Sequence, residues 1–135
     1  MTGATLARAA LALEGTRFRL HGRDPATGLD CIGVLSVSLQ SCGVKPMLPN
    51  GYRLRMRHIA GLEEIAVACN LGKATGTIQP GDVLIVNPAP CQFHLLIAAG
   101  AENFIHAHAG LKRVICGALP GHWPIAGHWR ITQTD

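Results

Sequence analysis

Cys31, His94 and His106 are the residues whose types and order in this chain could do covalent chemistry. The glycine-rich, polar stretch before Cys31 is unsuited to a regular element. The apolar residues after it (Ile32, Val34, Leu35, Val37 and Leu39) predict a helix, so the thiol falls where a loop meets a helix N-terminus. The partial positive charge there favours thiolate. Phe93 to Ile97 and Phe104 to His106 place histidines within short apolar runs of strand character. A cysteine followed far downstream by histidines is the order expected of a thiol nucleophile with an imidazole base. The chemistry that follows is acyl transfer, with the imidazole taking the thiol proton and returning it to the leaving amine.

His106 follows His94 by twelve residues. Two antiparallel strands turning at Gly100 would bring the rings side by side, and one could orient the other through a ring nitrogen. His108 is the alternative third member at this stage. His106-x-His108 also has metal-ligand spacing, but no third ligand is evident, so no metal or other cofactor is expected. Asp30 can cap the helix, contributing about 1 kcal/mol, or accept a hydrogen bond from a loop residue. Its charge would oppose thiolate formation at Cys31. Cys42, Cys69, Cys91 and Cys116 read as small buried hydrophobes, and His21, His58, His122 and His128 as ordinary structural or surface residues.

These residues need a scaffold, and 135 residues, 48% of them hydrophobic, suit one domain over residues 1–135 with one core. The low aromatic share means a core of Leu, Ile, Val and Ala. Five widely spaced cysteines without a CxxC pair argue against a disulfide framework or a structural zinc site. A net charge of +4 suits a polyanionic partner such as an acidic cell-wall polymer. Arg53, Arg55 and Arg57 lie near only one aromatic, Tyr52, so no nucleic-acid platform is expected. Ala4 to Leu13 is apolar but short and lacks a basic start, so it does not read as a signal peptide. No stretch approaches the roughly 20 apolar residues of a membrane span. The chain is expected to be made in the cytoplasm, with another component carrying it to any target outside.

The periodicity predicts a helix over residues 4–14, a loop over 15–29 and the Cys31 helix to about Gln40. An extended edge segment follows at Tyr52 to His58, then a helix from Leu62 to Cys69 closed by Gly72. Strands are predicted at Val83–Val86, Phe93–Ala98, Asn103–His106, Arg113–Cys116 and Trp129–Thr132. Helices first and a strand meander after them point to α+β with an antiparallel sheet of about five strands.

Three blocks resemble the NlpC family of bacterial cell-wall cysteine peptidases, a branch of the papain-like superfamily. Residues 15–33, Gly-Thr-Arg-Phe through Gly-Leu-Asp-Cys-Ile-Gly, resemble the family's Gly-Thr-Pro-Tyr start, glycine pair and Asp-Cys-Ser-Gly. Pro80-Gly81-Asp82-Val83-Leu84 resembles its Pro-Gly-Asp strand entry. His94 to Ile97 and Phe104-Ile105-His106-Ala107 resemble its histidine strand and Ile-His-Ala. The resemblance implies a nucleophile-bearing helix packed on the sheet that carries the histidines. It implies Cys31 as nucleophile, His94 as base, His106 as the orienting member, and Phe18, Arg19 and Asp30 on the substrate side. The implied activity is hydrolysis of amide bonds in the peptidoglycan stem peptide through an acyl-thioester. The compactness is more like copies from phage or phage-derived clusters, whose tail proteins are then candidate partners. A decayed binding or tail-structural module, or an acyltransferase, is the alternative. The chain departs from the family at Phe18, which lacks the usual tyrosine hydroxyl, at Ile32, which replaces a serine, and at His21, which replaces a glycine.

Overall fold

The computed structural model describes residues 2–44, 64, 66–90, 92–121 and 123–132. Helix α1 (Gly3–Leu11) starts on Thr2, whose hydroxyl accepts the Thr5 N–H, and buries Leu6, Ala7 and Ala10. It stops short of the expected residue 14. Gly15, at φ +87°, turns the chain so that its N–H bonds the Val114 carbonyl at 2.8 Å. The expected loop over residues 15–29 contains a short ribbon, β1 (Arg23–Asp24) paired antiparallel with β2 (Gly28–Leu29). Helix α2 (Cys31–Ser41) follows, with Asp30 as its N-cap. Its residues Ile32 to Ser36, Ser38 and Leu39 are all buried.

The extended segment expected at Tyr52 to His58 lies outside the described residues, as does most of the helix expected from Leu62. Backbone at 64 and 66–68 is helical. Gly72 does not close that helix. It lies within β3 (Leu71–Lys73), paired with Arg130. The remaining strands are β4 (Val83–Ala89), β5 (Gln92–Ala98), β6 (Phe104–His108), β7 (Arg113–Gly117) and β8 (Ile125–Ile131). They form one antiparallel sheet in the order β3-β8-β4-β5-β6-β7. The fold is therefore α+β as expected, with six strands in the sheet instead of about five.

Alternation along the strands divides the apolar residues between two faces. Leu95, Ile97, Ile105, Ala107 and Val114 join Leu6, Ala10, Ile32, Val34 and Leu35 in the main core between sheet and helices. Leu84, Val86, Leu96, Ala98 and Phe104 form a smaller cluster on the other face, against Ile78, Leu119 and Trp123. Among the described residues no helix is long and apolar enough to cross a membrane.

Candidate active site

Cys31 is the first residue of α2, and the cap beneath it is built from the loop. Asp30 Oδ1 accepts the Gly33 N–H at 2.8 Å, Oδ2 accepts the His21 N–H at 2.8 Å, and Arg23 reaches Oδ1 at 3.3 Å. Gly22 and Gly33 allow this packing. A Cβ on Gly33 would meet the Gly22 carbonyl oxygen, and one on Gly22 would meet the Gly28 carbonyl oxygen. His21 adopts φ +61°, the left-handed region that glycine enters more easily. Asp30 is 2% exposed with both oxygens engaged. It orients the loop and caps the helix.

The sheet is irregular where the thiol meets it. The β4 ladders shift register on both sides, between Val86 and Ala89 toward β5 and between Ile85 and Val86 toward β8. Val86 is the partner of His94. On the other edge of β5, pairing with β6 stops at Ile97↔Ile105. Ala98 sends its N–H to Asp82 on the β4 side, so by alternation Leu95 points its N–H toward β6. With the ladder ended, that N–H is released from the sheet, and together with the N–H groups of Ile32 and Cys31 it favours the ionised form of the Cys31 sulfur.

The same splay sets the histidines. Three more steps of the Ile97↔Ile105 register would put His94 opposite His108. Instead His94 Nε2 lies 3.0 Å from His106 Nδ1. His108 turns its Nδ1 to the Leu111 N–H at 3.0 Å, although its ring stays 5.7 Å from that of His106. Trp123 meets both rings of the pair edge to face, at 6.2 Å from His94 and 6.0 Å from His106. It covers the pair on the smaller-cluster face. Among the described residues no hydrogen bond joins Cys31 directly to His94.

Burial pushes the Cys31 thiol up to about 12, and the Asp30 carboxylate adds to the rise. The three N–H groups act in the opposite direction without offsetting this. The expectation that the helix start favours thiolate is corrected: the resting thiol is neutral, though the residue keeps partial exposure. Burial, then the His106 and His108 rings, pull His94 down to about 3. Burial and His108 pull His106 down to about 4. Both imidazoles are neutral at pH 7. With Nε2 of His94 committed to His106, Nδ1 is left to accept a proton. That requires His94 to carry its hydrogen on Nε2 and donate it to an unprotonated His106 Nδ1.

Of the other substrate-side candidates, Phe18 packs against the main core and Arg19 is exposed. Their main chains tie the loop to its neighbours, through Phe18 N–H to Lys112 O at 2.9 Å and Arg19 N–H to Leu29 O at 3.1 Å. No group of three or more His, Cys, Asp or Glu side chains is placed to hold a metal among the described residues.

Sequence reasoning passed over a second histidine cluster. Asp82, fully buried, receives Arg130 Nε on Oδ1 at 2.8 Å. Its Oδ2 meets Arg130 Nη2 at 2.9 Å, His128 Nε2 at 2.6 Å and the Gln79 N–H at 2.9 Å. Burial alone would raise this carboxyl, but the hydrogen bonds and the Arg130 charge bring it below its ordinary value. In the sequence His128 reads as ordinary, and Asp82 stands out only as part of the Pro-Gly-Asp strand entry. The available signal was an acidic residue opening a buried strand, which demands a cationic partner.

No family model and no curated protein matches the sequence. Solved structures do match. NlpC2 from Trichomonas vaginalis is similar at a TM-score of 0.71 and 17% identity, over 98% of this chain and 47% of that one. A lipoprotein-like NLP/P60 family protein from Staphylococcus aureus matches at 0.66 and 19%, over 98% and 42%. The NlpC/p60 domain of the peptidoglycan hydrolase SagA matches at 0.65 and 22%, over 98% of this chain and 100% of that one. The chain spans less than half the length of the first two. With the cysteine on the leading turn of a helix and the histidine pair on the sheet beneath it, the chain has the NlpC/P60 fold.

Proposed function

We propose that this chain is a thiol hydrolase acting on amide bonds of the peptidoglycan stem peptide, with Cys31 as nucleophile, His94 as base and His106 as the residue that orients it. The observation that carries the reading is the His94 Nε2–His106 Nδ1 contact of 3.0 Å on the sheet that packs against the helix headed by Cys31, which leaves His94 Nδ1 open to take a proton. Because thiol and imidazole are both neutral at rest, attack is coupled to proton transfer from Sγ to His94 Nδ1. The sulfur bonds to the carbonyl carbon, and the Cys31 N–H stabilises the oxyanion. The protonated His94 gives its proton to the leaving amine as the C–N bond breaks. Water, deprotonated by His94, then releases the acyl group from sulfur. The likeness to a domain described as part of a peptidoglycan hydrolase supports the substrate class. The stem peptide is the partner under this reading, and the wall is the place of action once another component delivers the chain.

The raised thiol and the missing Cys31–His94 hydrogen bond favour one second reading, a binding module that kept the fold and lost turnover. Digestion of purified peptidoglycan, followed by mass spectrometry for new amino termini, decides between them. The hydrolase releases fragments that Cys31→Ala does not. Equal product from both proteins, or none from either, rejects the assignment.

A further inference from the structure

Beside the site lies a group of cations that the proposed hydrolysis does not use. Arg17 faces Arg113 in an antiparallel bridge between the loop and β7. Phe18 N–H bonds the Lys112 carbonyl at 2.9 Å and Val114 N–H bonds the Thr16 carbonyl at 2.8 Å. Bonds that flank the pair, with none between its members, mark the non-hydrogen-bonded position, where Cα atoms stand about 4.5 Å apart and side chains come closest. Like charges directly opposite there destabilise the pairing. Phe18 turns to the core, so Arg17 and Arg19 turn outward, and both are exposed along with Lys112 and Arg113. None of these four forms an ion pair among the described residues. The acids of the same loop do not neutralise them. Asp30 is held by Arg23, and Asp24 accepts the Ala26 N–H.

We propose that Arg17, Arg19, Lys112 and Arg113 form a docking surface for an aliphatic polymer of repeated phosphate groups. A guanidinium makes two-pronged bonds with carboxylate and phosphate alike, so the choice of anion rests on the number and arrangement of the cations. Two guanidiniums held opposite each other, with two more cations alongside, match an anion that presents oxygens on several sides and recurs along a chain. Stacking of nucleic-acid bases needs exposed aromatic rings. The exposed large hydrophobic residues of the described chain include none. The surface is tied to the catalytic loop, because Leu29 N–H bonds the Arg17 carbonyl at 2.8 Å two residues before Cys31. Docking does not depend on turnover, so loss of either leaves the other measurable.

The test is fluorescence anisotropy of a labelled synthetic poly(glycerol phosphate) chain with the full protein across a salt series. Binding should weaken steeply with salt and fall about tenfold or more in R17Q/R113Q, with R8Q on α1 as an unaffected control. Polyglutamate and single-stranded DNA of equal length should bind more weakly. Equal or tighter binding of either overturns the phosphate assignment. Arg17→Glu separates docking from folding, since it turns a repulsion into a cross-strand ion pair. Thermal stability should hold or rise while docking is lost. Undiminished binding in the double variant, or no salt-sensitive binding by the wild type, overturns the proposal.

Discussion

Two histidine clusters on one sheet show opposite electrostatics. At the β4–β8 side, His128 shares the fully buried Asp82 with Arg130. At the splayed edge of β5, the hydrogen-bond partner of His94 is another imidazole, His106. Arg130 and the hydrogen bonds around Asp82 keep its carboxyl ionised, and the cluster ties the start of β4 to β8 as a lock. An imidazole next to an imidazole leaves both neutral, with a proton position open at His94 Nδ1. The difference lies in burial and partner together: burial is the first cause of the lowered His94 and His106 values and no carboxylate opposes it there, whereas Arg130 and the surrounding hydrogen bonds hold Asp82 below its ordinary value.

The sharpest break of this comparison comes at the mobile-proton cluster. Cys31→Ala and His94→Ala should each lower turnover of peptidoglycan by roughly three orders of magnitude or more, while circular dichroism and thermal melts stay near wild type. Loss of fold with loss of activity would remove the distinction between a working site and a lock. Arg130→Ala should do the reverse. It removes the cationic partner of the buried Asp82, and urea unfolding should report a lower midpoint than wild type. Activity per folded molecule should be retained.

Transplanting the lock's chemistry sharpens the contrast further. His106→Asp places a carboxylate beside His94 and should raise the His94 pKa from about 3, by roughly 1 to 3 units. The acid limb of kcat/KM then moves to higher pH by that amount. An unmoved limb would show that His94 is not the titrating base.

Acid stability separates the clusters by pH window. His94 and His106 sit near 3 and 4 when folded, against about 6.5 when unfolded. The unfolded chain binds more protons below about pH 6.5, so their contribution is complete above that value and is lost as pH falls toward 4 and then 3. Asp82, held below its usual value, gives up its contribution only below about pH 4. Urea midpoints between pH 7 and 4.5 should therefore fall in the wild type and flatten in H94Q/H106N. The smallest effect is expected for Trp123→Leu, which removes two edge-to-face contacts worth about 0.5 to 1.5 kcal/mol each. Turnover should drop less than in any catalytic variant, with a shifted acid limb as water reaches the pair.

Much of the site was legible because its signals are local. The apolar run after Asp30 marks α2, and Asp30 caps it as its residue type suggests. The twelve-residue spacing around Gly100 foretells two antiparallel strands carrying His94 and His106. The choice between His106 and His108 was not legible, because the regular ladder leads to His108. Only the end of pairing at Ile97↔Ile105 selects His106. The thiol's protonation was misjudged for a similar reason. The helix start is visible in the residue order, whereas enclosure by β5 is not.

The order of residues by itself determined that a cysteine heads a helix, that histidines ride on later strands, and that the two layers form an α+β domain. Periodicity and capping act over one or two turns, so they can be read along the chain. Tertiary structure alone decided which nitrogen meets which, which N–H the sheet releases to the sulfur, and that Asp82 finds partners 46 and 48 residues away. Those outcomes depend on where ladders end and how much water is excluded, and both are properties of packed layers.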